Sequence, residues 1–175
     1  MDSIQIIKIA IDHLVQLQEI GSQTFRQTFS SSNTEENIKI YLEESFSIKK
    51  LTAELLNVES VFYFATLNGT VIGYLKLNFG QAQTENQGSN SLEIERIYVL
   101  HDFHEKKVGQ LLFDHAIQIA RNKNISFVWL GVWEKNSRAI RFYIKNGFVE
   151  FDKHFFVLGN ENQTDIMMKL VLGYE

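Results

Sequence analysis

The chain has 175 residues with 17 basic and 21 acidic side chains, which gives a net charge of −4 and fits one domain over residues 1–175. Because 45% of the residues are hydrophobic and 14 are Phe, the chain can build a core, which excludes intrinsic disorder. It has no Cys, which excludes disulfide scaffolds, zinc ribbons and cysteine nucleophiles.

The sequence also limits location and partners. No stretch reaches ~18 uninterrupted apolar residues, and the first residues lack a basic segment followed by an apolar one, so neither a transmembrane helix nor a signal peptide is predicted. We expect a soluble cytoplasmic protein without a membrane partner. An acidic domain is atypical of nucleic-acid binding, and the His residues lack metal-ligand spacing, so we predict neither a nucleic-acid partner nor a metal.

The first half of the chain predicts a strand, helices and a hairpin. Residues 4–10 are rich in Ile and predict a strand, and apolar residues at helical spacing continue to about residue 56. Ser47 is placed to cap one of these helices. Residues 61–67 and 70–79 are rich in aromatic and β-branched residues and flank Asn68-Gly69, so they predict a tight hairpin.

Residues 91–99 predict a strand that carries two carboxylates. Strict alternation places Glu93 and Glu95 on one face together with Ile97 and Val99. The same alternation places Leu92, Ile94 and Arg96 on the other face. The sequence therefore predicts two acidic groups close together on one surface of a sheet.

Helices and strands alternate in the remainder of the chain. Helical spacing begins near Val108, residues 126–133 predict a buried strand, and Asn136 is placed to cap the next helix. Residues 148–158 and 164–172 predict two strands joined by a turn at Gly159. The order of elements predicts an α+β fold, with a mixed, mostly antiparallel central sheet flanked by helices.

The loop over residues 104–109 is suited to an anionic ligand. The first backbone N–H groups of a helix are unpaired and carry partial positive charge, so they favour phosphate. Gly109 permits close approach of a ligand, and Lys106 and Lys107 add positive charge. Taken alone, the segment is as consistent with an ordinary strand-to-helix connection.

A second unit runs over residues 129–148. Asn136 stands at a helix start, where capping is its simplest role. Tyr143 follows two helical turns later on the same face, although core packing is the usual role of a lone helical Tyr. Gly147 lies where a left-handed residue would end the helix.

Together the two units resemble the GNAT superfamily of N-acetyltransferases over residues 61–158. The resemblance rests on Trp133-Glu134-Lys135-Asn136, Phe142-Tyr143 and Asn146-Gly147-Phe148. The loop departs from the family pattern Gln/Arg-x-x-Gly-x-Gly/Ala, since His104 and Lys107 replace two of its residues and Gly109 alone matches fully. Residues 92–99, 130–136 and 163–165 look closest to the spermidine/spermine acetyltransferases of the PaiA type.

The resemblance implies acetyl-CoA as co-substrate. The pantetheine arm is expected along the main chain of Ile97, Tyr98 and Val99, in the manner of an added strand. The other residues implied in cofactor binding are His104, Glu105, Lys106, Lys107, Val108, Gly109, Gln110, Asn136, Tyr143 and Lys145.

The resemblance also implies roles in acetyl transfer. An alkyl amine has a pKa near ~10.4 and must lose a proton before it attacks. Glu95 is implied as general base, with Glu93 as second choice, although both carboxylates could instead face solvent or pair with Arg96 and nearby bases. Tyr143 is implied as the acid that protonates the leaving thiolate, and a backbone N–H near Tyr98 as the oxyanion donor.

A polyamine is the favoured acceptor. The N-terminal helices and the loop over residues 80–90 are expected to hold the acceptor. The acidic helix residues Glu35, Glu36, Glu43 and Glu44 would attract a polycation, although for any one of them a solvated helix face is the better explanation. A protein or peptide acetyltransferase of the same fold is one alternative, and a non-catalytic coenzyme-A-binding regulatory protein is another. A homodimer built on the two terminal strands is also an expectation from the resemblance.

Overall fold

The structure, a computed structural model, describes residues 3–88 and 90–173. Its strands are Ile4–Ile9 (β1), Ser60–Leu67 (β2), Thr70–Asn78 (β3), Ser91–Val99 (β4), Phe127–Trp133 (β5), Val149–Leu158 (β6) and Glu161–Val171 (β7). Its α-helices are Leu14–Phe29 (α1), Glu35–Ser45 (α2), Ile48–Leu56 (α3), Val108–Asn122 (α4) and Ser137–Lys145 (α5). None of these helices is long and apolar enough to cross a membrane.

The strands form one sheet in the order β1-β2-β3-β4-β5-β7-β6. Strands β4 and β5 run parallel, and the other neighbouring pairs are antiparallel. A parallel pair needs a long crossover, which α4 provides. The predicted α+β fold with a mixed, mostly antiparallel sheet is therefore confirmed.

The hairpin turns lie where the sequence predicts them. Asn68 and Gly69 have φ angles of 51° and 79°, and left-handed values at both central positions suit a two-residue hairpin turn. Gly159, with a φ of 62°, turns β6 into β7. Strand β7 begins at Glu161 rather than at residue 164, so the terminal ribbon is longer than predicted.

Apolar layers cover both faces of the sheet. On one face, Leu112 and Phe113 of α4 belong to a buried cluster with the strands. On the other face, Leu17 of α1, Ile38 of α2 and Leu51 of α3 are fully buried in a second cluster. Each such side chain stabilises the fold by about 1.5–3 kcal/mol on burial, so the helices are held firmly against the strands that carry the site.

A β-bulge in β4 changes the predicted faces of that strand. Lys76 pairs with Arg96, whereas the next residue, Leu77, pairs with Ile94, which leaves Glu95 as the extra residue. A bulge of this kind shifts every later side chain to the opposite face. The predicted strict alternation over residues 91–99 therefore holds for Glu93 and Glu95, which share a face, and is wrong from Arg96 onward.

The bulge places Arg96 on the side of the N-terminal helices. Its guanidinium lies 4.9 Å from the ring centre of Phe46. Ile97 and Val99 instead pack with the α4 layer. Alternation had predicted the reverse for all three residues, because a bulge in a strand leaves no mark on the hydrophobic pattern.

The parallel strands β4 and β5 separate early. Their pairing covers Ser91 to Glu93 on β4 and Phe127 to Trp129 on β5. Beyond these residues β5 continues to pair with β7 as far as Trp133, whereas β4 pairs with β3 as far as Val99. The divergence opens the sheet between β4 and β5 and creates space for a ligand.

Candidate active site

Two concave regions meet where β4 and β5 diverge. A groove of about 340 Å³ runs beside α4 and α5. A cavity of about 320 Å³ lies beneath the N-terminal helices. Both are lined by Ile97, Tyr98, Asn136, Ala139 and Tyr143, so two reactants held in the two regions meet beside the Tyr143 side chain.

The groove contains most of the predicted cofactor residues. The predicted residues that line it are Ile97, Tyr98, Val99, His104, Glu105, Lys107, Gly109, Gln110, Asn136, Tyr143 and Lys145. Two predicted side chains do not line it. Val108 is fully buried in the core, and the Lys106 ammonium lies over the Phe103 ring.

Lys107 adopts a glycine-like conformation at the start of α4. Its φ of 59° is left-handed, and it caps the helix at the position where the family pattern has its first Gly. The first intrahelical bond runs from Leu111 N–H to Lys107 C=O, so the helix start points free N–H groups towards the groove. The lysine thus keeps the turn that a glycine usually makes and adds a charge beside it.

His104 is held as a neutral ring. Its Nε2 lies 2.8 Å from the Val99 carbonyl oxygen, which requires a proton on Nε2, and the Arg138 guanidinium contacts Nδ1. Burial lowers the pKa of His104, and the charge of Arg138 lowers it further against the opposing Val99 hydrogen bond. Arg138 also lines the groove, so the imidazole fixes one cationic side chain beside the free helix start.

Asn136 and Tyr143 of the second unit flank the meeting point. The Asn136 Oδ1 atom accepts from Ala139 N–H at 3.1 Å, which confirms its predicted capping role. The Tyr143 side chain is 6% exposed. Burial raises the pKa of Tyr143 well above its ordinary value, so its hydroxyl keeps its proton at neutral pH.

The cavity lies between the elements that were predicted to hold the acceptor. Phe25 and Phe29 of α1, Tyr41 of α2 and Thr84 of the β3–β4 loop line it. The acidic helix residues Glu35, Glu36, Glu43 and Glu44 are exposed and lie outside this lining. Among the described residues, the carboxylates that line the cavity are instead Glu93, Glu95 and Asp165.

Glu95 belongs to a compact ionic network. Its Oε2 atom lies 2.5 Å from Lys76 Nζ, and its Oε1 atom lies 3.3 Å from Arg96 Nη2. Lys76 and Arg96 both also contact Glu54 of α3. Burial opposes ionisation of Glu95, but the Arg96 and Lys76 charges, with hydrogen bonds from Lys76 and Asn78, outweigh it and lower its pKa to about 2.

Glu93 has neutral partners. Its carboxylate accepts hydrogen bonds from the Thr84 backbone N–H at 2.8 Å, the Thr84 hydroxyl at 2.5 Å and the Asn78 amide at 3.0 Å. The side chain is buried. Burial is the largest effect and raises the pKa of Glu93 against these hydrogen bonds. The two predicted carboxylates therefore differ sharply in proton affinity, although the Asn78 amide contacts both.

Asp165 was not predicted as a site residue. It lies on β7, opposite Trp133 of β5 and His154 of β6. Burial raises its pKa to about 6, and the nearby His154 partly offsets this. Residues 163–165 are part of the resemblance to the PaiA type, which was a usable signal for Asp165. A single Asp in a terminal strand, however, gives no indication of the cavity that it will line.

The described ranges contain no group of three or more His, Asp or Glu side chains placed to hold a metal ion. The cavity offers instead hydrogen-bonding and ionisable side chains around an apolar floor that includes Trp129, whose indole N–H donates to Gln83 at 2.7 Å. This arrangement suits proton transfer and cation binding.

Comparison with known proteins identifies the class. Residues 15–148 match the model of the acetyltransferase (GNAT) family. The chain belongs to this family and is an N-acetyltransferase. An N-acetyltransferase of Lactobacillus delbrueckii subsp. lactis is 38% identical over 172 residues, which cover 98% of this chain and 99% of that protein.

Two further similarities concern Thermoplasma acidophilum. Its spermidine N(1)-acetyltransferase is 31% identical over 150 residues, covering 83% of this chain and 88% of that protein. The crystal structure of the PaiA N-acetyltransferase from that organism, in complex with coenzyme A, has a TM-score of 0.81 and 28% identity, covering 97% of this chain and 99% of that one. The predicted GNAT membership is confirmed, as is acetyl-CoA as the acetyl donor at the level of the family.

Proposed function

We propose that this protein transfers the acetyl group of acetyl-CoA to a primary amine of a polyamine such as spermidine or spermine. The observation that carries the proposal is that a groove and a cavity meet at Tyr143. The groove presents the unpaired backbone N–H groups at the start of α4, and the cavity is lined by carboxylates. The similarity to a spermidine N(1)-acetyltransferase favours the same acceptor class.

The groove fits the phosphate-bearing donor. Its cations are Lys107, Arg138 and Lys145, and the start of α4 adds backbone N–H groups. The main chain of β4 beyond its pairing with β5 is available to hold an extended arm by strand-like hydrogen bonds. When bound there, acetyl-CoA would supply the thioester carbonyl that the amine attacks.

The protein's part in the reaction is to move protons and to stabilise charge. The neutral Tyr143 hydroxyl is the proposed proton donor to the departing sulfur, because burial keeps it protonated. A backbone N–H at Tyr98 is the proposed partner of the oxygen on which negative charge develops. Both groups lie where the groove and the cavity meet.

A cavity carboxylate must accept the proton that the ammonium group loses. Glu95 stays the base that the resemblance implies and Glu93 the second candidate. Their surroundings favour different roles, since Glu95 is ion-paired to Lys76 and Arg96 whereas Glu93 accepts from uncharged groups. A base works best when its pKa lies near the working pH, so the ionic network opposes the role of Glu95.

The test is thiol release from acetyl-CoA with spermidine, spermine, a peptide with a free amine, or no amine. We expect turnover with the two polyamines, and a decrease of kcat by about 10²-fold or more in Tyr143→Phe with an unchanged dissociation constant for coenzyme A. Turnover with the peptide alone would assign the protein to peptide acetylation. No turnover with any of the amines, together with failure to bind acetyl-CoA, would favour a non-catalytic role.

A further inference from the structure

A chain of three ionisable side chains leads from the cavity to the surface. Asp165 Oδ2 lies 3.5 Å from His154 Nε2, and His154 Nδ1 lies 3.1 Å from Glu85 Oε1. The Asp165 side chain is 17% exposed and the Glu85 side chain is 39% exposed. Asp165 and His154 line the cavity, so the chain has one end beside the acceptor and the other in solvent.

Gly131 of β5 lines the same cavity and lies directly against this chain. A Cβ atom at Gly131 would lie 3.1 Å from Asp165 Oδ2 and 3.2 Å from His154 Cε1, closer than side chains normally pack. Gly131 does not have a positive φ, so its backbone conformation does not require glycine. The absent side chain instead lets Asp165 and His154 lie close against the β5 backbone.

The other cavity carboxylates are less suited to release a proton. Glu95 is held in its charged form by Lys76 and Arg96. Glu93 is 3% exposed and is enclosed by the Thr84 and Asn78 donors. Asp165 differs because His154 lies beside it. The Nδ1 atom of His154 is buried and makes no well-directed hydrogen bond, and the Glu85 carboxylate lies within reach of it.

We infer that Asp165 is the group that takes the proton from the acceptor ammonium, and that His154 passes it to Glu85 at the surface. The inference rests on the proposed function, since it assigns the base of that reaction. An N–H bond of the ammonium breaks and an O–H bond forms on Asp165, after which the freed nitrogen pair forms the C–N bond as the C–S bond breaks. As the amide forms, the nitrogen loses a second proton, and this proton restores the Tyr143 hydroxyl that has protonated the departing sulfur.

The electrostatic surroundings of Asp165 agree with this role. A pKa of about 6 leaves Asp165 mostly ionised at neutral pH and still basic enough to accept a proton. His154 and Glu85 follow Asp165 along the chain, and the charge of Asp165 helps to raise the pKa of Tyr41 and Tyr98. Burial raises the pKa of both tyrosines, so they remain neutral around Asp165.

The test compares Asp165→Asn with Glu95→Gln in steady-state kinetics between pH 5 and 9. The amine is whichever of spermidine, spermine or the peptide the wild type turns over fastest. We expect kcat/KM to rise with an apparent pKa of about 6 in the wild type. In Asp165→Asn this limb should disappear and kcat/KM should decrease by about 10²-fold, with an unchanged dissociation constant for coenzyme A.

The surface variant Glu85→Gln guards against misfolding of Asp165→Asn. Because Glu85 is partly exposed, this variant should keep the wild-type melting temperature while it displaces the acidic limb of kcat/KM. An unchanged pH profile in both variants, with a loss of about 10²-fold in Glu95→Gln, would overturn the inference and leave the proposed function intact.

A readout that needs no acceptor covers the case in which no tested amine reacts. Carbon-13 NMR of the protein labelled at Asp reports the titration of each Asp carboxyl, and Asp165→Asn assigns the relevant signal. A titration near pH 6 supports the inference, and one near the ordinary value of 3.8 overturns it. Failure of the polyamine assay alone would then count against the acceptor and not against Asp165.

Discussion

Replacing Glu95 by Gln tests whether this carboxylate is chiefly an ionic anchor of the site. Folding lowers the pKa of Glu95 from the ordinary 4.5 to about 2. Its charged form is therefore worth about 3 kcal/mol of stability at pH 7, by the relation between pKa and free energy. Because the pKa falls on folding, this stability is present above about pH 4.5 and is lost as the pH decreases towards 2.

The free energy of unfolding should follow this dependence. We expect Glu95→Gln to unfold about 3 kcal/mol more easily than the wild type at pH 7, and about 2 kcal/mol more easily at pH 3.5. Urea titrations followed by the fluorescence of the buried Trp129 and Trp133 measure both values. A difference below about 1 kcal/mol at pH 7, or one that does not change with pH, would refute the reasoning.

Glu93→Gln is the matched control, because burial moves the pKa of Glu93 in the opposite direction. A raised pKa means that folding favours the protonated form, so the wild type gains stability as the pH falls through the folded pKa. On acidification, the wild type should therefore become more stable relative to Glu93→Gln. Over the same pH change it should lose its stability advantage over Glu95→Gln. Dependences of the same sign in the two variants would contradict the assigned environments.

Three further predictions concern the groove and the terminal strands. Lys107→Gly should raise stability by about 1 kcal/mol by relieving the left-handed φ, while calorimetry shows weaker coenzyme A binding from the lost charge. Arg138→Gln should weaken coenzyme A binding by about 10-fold at an unchanged melting temperature, since it removes an exposed positive charge from the groove beside the start of α4. If the predicted homodimer forms through the edge strand β6, Phe155→Asp should reduce the mass in light scattering to that of a monomer, because Phe155 is 77% exposed there.

The elements that the sequence predicts are those whose cause is local. Asn68-Gly69 makes a hairpin because both residues tolerate a positive φ, and Asn136 caps α5 because its side chain reaches an N–H three residues later. Such interactions depend on neighbours in the chain, so the residue types alone carry the information. Helical spacing in the same way places Tyr143 on the face of Asn136, whereas its role as an acid is implied only by the resemblance to the family.

The properties of the cavity carboxylates depend on distant parts of the chain. Glu95 is acidic because Lys76 of β3 reaches it and Glu54 of α3 holds Arg96, residues that only the fold brings together. The bulge that turns Arg96 towards them is a register shift between two strands, which no pattern within β4 reveals. Asp165 likewise becomes a cavity residue through its pairing with His154 and the missing side chain of Gly131.

The substituted cofactor loop shows how a motif can change while its geometry persists. The sequence marked His104 and Lys107 as departures, and a missing glycine is expected to prevent a left-handed turn. Lys107 nevertheless adopts a φ of 59°, at a cost of about 1–2 kcal/mol, and His104 holds Arg138 beside the groove. Since α4 must begin directly after this turn to cover the core with Val108, packing enforces the backbone conformation that glycine would adopt freely. The altered loop therefore trades some intrinsic turn stability for added positive charge where the phosphates of the donor are proposed to lie.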